Sequence, residues 1–162
     1  MLTPTIHEKL TQKFENAILP LKELPPGSHS DPFIAVNSSK LHSVLKYLKE
    51  DSDLLFDNLI CISGVDYPDR IEVVYHLFSY KHLHKVVIKS LLSDKTKPVL
   101  ESTCDLWKAA NWLEREVFDI MGVHFNNHPD LRRILLPEDW EGHPLRKDYK
   151  TQEFWHGIKV GM

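Results

Sequence analysis

The spacing of apolar residues along this chain alternates between the helical and the extended period. Ile6, Leu10, Phe14 and Ala17 or Ile18 recur at helical intervals, Thr3 can cap the run and Pro4 suits the first turn. A helix over 3–18 follows. Residues 19–32 hold Pro20, Pro25, Pro26, Gly27 and Pro32 and read as a connector, so the first helix is expected to be loosely tethered. Phe33-Ile34-Ala35-Val36 predicts a short strand. Ser38 or Ser39 then caps a helix with Leu41, Val44, Leu45 and Leu48 on one face.

The period next falls to two. Leu59–Val65, Ile71–Tyr80 and His84–Leu92 are three strand candidates, the first two joined by the turn Asp66-Tyr67-Pro68-Asp69. Ile71, Val73, Tyr75 and Leu77 share one face, and Val86 and Ile88 lie opposite Lys85, Val87 and Lys89. The short links predict an antiparallel meander with one wet face. A last helix is expected over 105–121, capped by Asp105 and ended by Gly122, with Leu106, Ala110, Leu113, Val117 and Ile120 on its core stripe. Glu114 and Glu116 fall on opposite flanks of that stripe, and Arg115 and Asp119 point away from it. Half-buried carboxylates in such positions need partners. The order of elements gives an α+β, two-layer fold with helices packed on a small mixed or antiparallel sheet, over residues 1–122.

After Gly122 the pattern breaks down. Residues 123–149 contain Pro129, Pro137, Pro144 and Gly142 among Phe125, His128, Asp130, Arg132, Arg133, Trp140, His143, Arg146, Lys147, Asp148 and Tyr149. Proline there prevents a long helix and spoils a central strand. The stretch is long for a free loop and too rich in Leu, Ile, Phe and Trp to float in water. Residues 123–162 are therefore expected to form an extended interaction arm, mobile alone and fixed on a partner.

Composition narrows the class. The 162 residues are 42% hydrophobic and 27% charged, which excludes a disordered or low-complexity chain and fits about one domain. The net charge of -3 presents no overall basic field for nucleic acid or anionic lipid. Apolar runs such as Leu59–Ile62 and Val86–Ile88 fall far short of the ~20 residues that cross a bilayer. The N-terminus has no basic segment followed by an apolar core, so no secretory signal is expected, and any membrane association would come through a partner. Cys61 and Cys104 are too few and too distant for a disulfide framework or a cluster site, and read as small buried hydrophobes.

The candidate chemistry is sparse. His76, His82 and His84 would offer zinc two or three imidazoles without an obvious fourth ligand, and read as solvent-face residues. His124, His128 and His143, beside prolines, suit backbone or interface bonds. Glu114 and Asp119 are about 140° apart on a helix, which disfavours acid–base work as a pair. Gly64-Val65-Asp66 lacks the features of a phosphate loop. Five acids among residues 130–148 cancel the field of Arg132 and Arg133 beside Trp140. Trp107 and Trp112 read as packing residues.

The string Glu114-Arg115-Glu116-Val117-Phe118-Asp119-Ile120-Met121-Gly122-Val123, followed by His128-Pro129-Asp130-Leu131-Arg132-Arg133-Ile134-Leu135, resembles the signature of the C-type subunit of respiratory NADH:quinone oxidoreductase (complex I). The resemblance continues from Pro137 to Tyr149 and includes Gly64-Val65-Asp66-Tyr67-Pro68 and Ala109-Ala110-Asn111-Trp112. It covers roughly residues 57–150, with residues 1–56 alike only in element order, and points to the stand-alone form rather than a fusion with the D-type subunit. It implies a non-catalytic core subunit of the hydrophilic arm of a proton-translocating enzyme, peripheral on the cytoplasmic face of the bacterial plasma membrane. The implied chain has no cofactor of its own. FMN and iron–sulfur clusters belong to partner subunits, the D-type and the cluster-carrying subunits are its neighbours, and quinone is met only through the complex.

The residues expected to face those neighbours are Glu114, Arg115, Glu116, Asp119, His128, Asp130, Arg132, Arg133, Trp140, Arg146, Lys147, Asp148 and Tyr149. The arginines offer planar, bidentate donors, and the aromatics and aliphatics offer contact area. Related subunits of membrane-bound hydrogenases, formate hydrogenlyases and ferredoxin-dependent photosynthetic complexes share the implied fold. The strict run from Glu114 to Tyr149 favours the respiratory enzyme. A free-standing soluble enzyme or metal-binding domain is the remaining alternative.

Overall fold

A computed structural model describes residues 2–21 and 31–160. Helix α1 (Thr3–Phe14) continues as a 3-10 turn over Glu15–Ala17. Thr3 does not cap it: the extended Leu2 precedes the first turn, whose start Pro4 favours. Ile6 and Leu10 are fully buried against the core. Of the expected connector, residues 22–30 lie outside the described residues.

Strand β1 (Phe33–Asn37) is followed by a 3-10 turn, capped by the Asn37 side chain rather than by a serine, and by helix α2 (Leu41–Glu50). Leu41, Val44, Leu45 and Leu48 are all buried, as their spacing predicts. Strands β2 (Asn58–Asp66), β3 (Ile71–Ser79) and β4 (His84–Leu92) form the antiparallel meander. β1 adds to β4 in parallel, giving a mixed four-stranded sheet in the order β1-β4-β3-β2. Side chains alternate across a sheet, so Ile71, Val73, Tyr75 and Leu77 lie together in the helix-covered core. The opposite face carries Cys61, Ser63, Val65, Val74, His76, Val87 and Lys89.

The last helix, α3, runs from Ala110 to Met121, not from 105. Asp105 does not cap it: its carboxylate bonds His42 Nε2 at 3.0 Å. The chain between 103 and 108 turns instead, with Leu106 and Trp107 both donating to the Thr103 carbonyl. That turn seats Trp107, whose indole N–H reaches the Phe56 carbonyl at 3.2 Å. Gly122, at φ +74°, ends the helix as expected. A side chain there would also strike His143, whose ring carbon stands 2.5 Å from the position of a Cβ.

Residues beyond Gly122 do not leave the domain at once. Strand β6 (His124–Asn126) pairs in parallel with β5 (Val99–Glu101), and Val123 and Phe125 are buried in the core. A hairpin of β7 (Phe154–Trp155) and β8 (Ile158–Lys159) closes the described chain.

α3 crosses the sheet over β2, where Gly64 lets it approach: a Cβ on Gly64 would stand 2.8 Å from Met121 Cγ and 3.4 Å from Val117 Cγ1. Gly64→Val is therefore expected to destabilise the domain by about 1–3 kcal/mol through overpacking. Chemical denaturation reads this directly, and an unchanged midpoint would show that α3 does not rest on this glycine.

Candidate functional site

α3 buries charge on both flanks of its apolar stripe. On one flank Glu114, fully buried, accepts hydrogen bonds from the Ser102 hydroxyl, the Thr103 amide and the Thr103 hydroxyl, each at 2.7 Å. The carboxylate thereby fixes the turn that leads from β5 into α3. Three good donors are what a carboxylate out of water requires.

On the other flank Asp119, also fully buried, faces the segment beyond β6. Its Oδ2 accepts the amides of Ile134, Leu135 and Leu136 at 2.8 to 3.0 Å. Its Oδ1 accepts a 2.6 Å bond from Arg133 Nη1. Arg133 then donates to the carbonyls of Trp140 and Gly142, folding the segment back on itself. One turn earlier, Arg115 donates to the carbonyls of Arg132 and Arg133, and its guanidinium lies 5.2 Å from the ring centre of Trp112. Asp119 and Arg115 thus hold side chain and backbone of residues 132–136 together.

A third carboxylate anchors the distal part. Asp66, at the end of β2, accepts the Lys147 amide at 2.8 Å and pairs with Lys95 Nζ at 2.6 Å. Arg146 reaches the Lys95 carbonyl at 2.8 Å. Between these anchors, the His143 ring nitrogen Nδ1 lies 2.9 Å from the Asp119 carbonyl and Leu145 donates to the Ile120 carbonyl.

Burial alone would raise the Asp119 pKa, but the Leu136 amide, the Arg133 guanidinium and the amides of Ile134 and Leu135 outweigh it and hold the carboxyl below its usual range. Asp66 behaves alike. Burial opposes ionisation, while Lys95, the Lys147 amide and the charge of Arg146 favour it more strongly.

These contacts correct the expected orientation of the helix. Arg115 and Asp119 do not point away into solvent: both are buried, because the chain after β6 covers their flank. Glu116, expected half-buried, is exposed. The thirteen residues singled out from the sequence divide accordingly. Glu114, Arg115 and Asp119 are internal, and Arg133 and Arg146 are bonded within the chain. His128 is half-buried, with Nδ1 accepting the Asp130 amide and Nε2 3.0 Å from the Asn111 carbonyl. Trp140 donates its indole N–H to the Tyr149 hydroxyl at 3.1 Å. Glu116, Asp130, Arg132, Lys147 and Asp148 are exposed.

Sequence reasoning marks Leu135 as contact area for a partner but passes over Asp66 as a site residue. Leu135 stands 63% exposed beside the Asp119 anchor. Asp66 reads in the sequence only as part of a turn, and no local pattern reveals its distant partners. Trp112, expected to pack, is 62% exposed.

Among the described residues the rings of His82 and His84 lie 5.5 Å apart, with His76 on the opposite face of the sheet from His84. His76 sits on the open face of β3, whereas His84 is buried on the core side against Phe56, its Nε2 2.7 Å from the Leu54 carbonyl. His82 Nε2 lies 2.9 Å from the Ser52 carbonyl. The expected solvent position fails for His84 because its ring completes the packing around Phe56.

Among the described residues, Cys104, Glu114 and His128 bring three potential metal donors within 4.8 Å of one another. A metal there would compete with the bonds of Glu114 to the 102–103 turn and of both His128 nitrogens. It would also have to deprotonate Cys104, whose thiol burial pushes up to about 11.

The buried carboxylates Glu114, Asp119 and Asp66 thus bind backbone groups of the chain itself. The family described as "Respiratory-chain NADH dehydrogenase, 30 Kd subunit" matches residues 34–154, and the chain belongs to it. It is 44% identical to the C-type subunit of NADH-quinone oxidoreductase from Chloroherpeton thalassium over 93% of its own length, spanning 62% of that protein. With the corresponding subunits of Chlorobium phaeobacteroides and Geotalea uraniireducens it shares 39% identity in each case, spanning 92% and 85% of their lengths. Among solved structures, one from the membrane-bound sulfane sulfur reductase, an archaeal respiratory membrane complex, superposes with a TM-score of 0.71 at 25% identity, covering 91% of this chain and 85% of that one. No helix among the described residues is long and apolar enough to cross a membrane.

Asp119→Ala is expected to cost about 3–5 kcal/mol, largely by stranding Arg133 and three amides, whereas Asp148→Ala, on an exposed carboxylate, should stay within about 0.5 kcal/mol. Equal losses in denaturation would contradict the anchor. Because the folded pKa values of Asp119 and Asp66 lie below their unfolded ones, their contribution is complete above about pH 4 and disappears as pH falls through the folded values. The melting temperature of the wild type should therefore fall more steeply below about pH 4 than that of Asp119→Ala. Parallel curves would exclude Asp119 as the titrating anchor.

Proposed function

We propose that the chain is a non-catalytic core subunit of the hydrophilic arm of a proton-translocating NADH:quinone oxidoreductase, holding the quinone-reducing and iron–sulfur subunits together. What carries this reading is the family match over residues 34–154, joined to an outward surface that its own fold leaves open. Once Asp119, Arg115 and Asp66 have secured the chain beyond β6, Trp112, Leu135, Leu145 and the Arg132 guanidinium stand in solvent. Exposed aromatic and aliphatic side chains rimmed by charge suit a partner's surface. On this reading the thirteen residues named above act in two ranks. The internal ones shape the 123–162 segment, and the exposed ones, with Trp140 and Tyr149 beneath them, meet the D-type and the cluster-carrying subunits. FMN and iron–sulfur clusters belong to those partners, quinone is reached only through the complex, and the chain sits peripherally on the cytoplasmic face of the bacterial plasma membrane.

A second reading has the same architecture serving a related membrane-bound oxidoreductase, and the structural likeness to a chain of the sulfane sulfur reductase complex supports it. The identities of 39–44% to C-type subunits of NADH-quinone oxidoreductases over most of the chain favour the first reading.

Among the described residues, the Arg132 side chain pairs only with the exposed Asp130, so Arg132→Ala combined with Leu135→Asp should leave the fold intact and reduce incorporation at least tenfold. Affinity purification of the tagged chain from native membranes, followed by NADH:quinone turnover of what accompanies it, tests both points. Full incorporation of the double variant would remove this surface from the interface. An associated complex without NADH-dependent turnover would favour the second reading.

A further inference from the structure

The two edges of the four-stranded sheet are treated differently. At the β1 edge Ile18 forms an antiparallel bridge with Val36, and the Leu19 amide donates to the Ala35 carbonyl at 2.9 Å. At the β2 edge, among the described residues, no backbone group of Asn58–Val65 bonds to anything but β3. Natural sheets usually blunt such an edge with lysine, proline or an inward charge. Here the strand reads Asn-Leu-Ile-Cys-Ile-Ser-Gly-Val-Asp, and its one charged residue, Asp66, is buried and already held by Lys95 and Lys147. A register shift between Leu59 and Cys61 pushes Ile60 out to 54% exposure. Beyond it the ladder is regular from Cys61 to Asp66, and Val65 is 37% exposed.

We infer that the β2 edge from Cys61 to Val65 receives an extended, uncharged segment of another polypeptide as a fifth strand, so that main-chain hydrogen bonds fasten this chain to its neighbour. The inference rests on the proposed membership of a multisubunit enzyme. Strand addition at an open edge is a general mode of recognition in which backbone bonds give affinity and alternate side chains give selectivity. The side chains of Cys61, Ser63 and Val65 on the open face are uncharged, and Glu72, opposite Val65, is already paired with Arg70 and Lys89, so the edge offers an incoming strand no charge to match. On the other face the incoming strand runs beside the C-terminal half of α3, which restricts it to small or medium side chains.

A second copy of this chain does not fit the same edge. α3 packs over β2 at Gly64 rather than over the inner strands. Two copies paired edge to edge would set their β2 strands about 4.8 Å apart, whereas packed helices need about 8–10 Å between axes. The donor is therefore a strand with no helix lying over it.

Hydrogen exchange on the affinity-purified complex and on the isolated full chain tests this. In an antiparallel edge strand alternate residues turn their amides outward, and those between Cys61 and Val65 that point away from β3 should exchange at least tenfold more slowly in the complex. Val65→Lys should reduce incorporation at least tenfold at an unchanged melting temperature, and Val65→Thr should restore it. If the chain is incorporated and these amides exchange equally fast in both states, the strand-addition proposal fails and the proposed membership of the complex stands. If the same protection appears in a dimer of the chain alone, the proposed donor is wrong. Recovery of the native chain without any partner would overturn both.

Discussion

A carboxylate buried without access to water governs this structure. Asp119 sits on the flank of α3 that the apolar stripe does not cover, and an ion there is untenable unless other groups complete its hydrogen bonding. Three consecutive amides and one guanidinium do so, all from residues 133–136. The proline-interrupted stretch after β6 thereby takes a fixed course without a helix or a long strand. Arg115 reinforces it from the same helix, and Asp66 secures its far end through the Lys147 amide. The helix and the segment that covers it are one electrostatic unit.

That unit explains how a region with so little regular structure can present a definite surface. Backbone groups that no sheet satisfies are taken up by buried side chains, so the outer side chains are held in place before any partner arrives. The Leu135 side chain stands out from the anchored stretch, Trp112 is exposed on α3, and Arg132 turns outward although its own carbonyl is bound by Arg115. Preorganisation of this kind lowers the entropy lost on association. Glu114 plays the corresponding part on the inner flank, where it fixes the entry into α3 by holding Ser102 and Thr103.

Much of the fold is legible in the spacing of apolar residues. The meander, the core faces of Ile71–Leu77 and of α2, and the stop at Gly122 follow from local periodicity and turn chemistry. The start of α3 does not, because Asp105, a good cap by type, is engaged by His42 from a distant helix. The parallel pairing of β1 with β4 depends on long-range contact and has no local signal. The sequence marks the charged positions of α3 as important without revealing their direction. A single amphipathic stripe describes a helix covered on one side, and Arg115 and Asp119 are buried only because residues some fifteen positions later fold back over them. The interleaved acids and arginines of α3 and the following segment signal mutual partners, yet a sequence does not say whether such pairs close within a chain or between chains.

Asp119 clamps residues 134–136 within the chain itself. Amide exchange of Ile134, Leu135 and Leu136 in the isolated full-length protein at neutral pH measures it most directly. Strong protection of all three, lost together in Asp119→Ala while the β3 amides stay protected, is the expected result. Exchange at the rate of an unstructured peptide in the wild-type chain would contradict the account and return the segment to a partner's surface for its order.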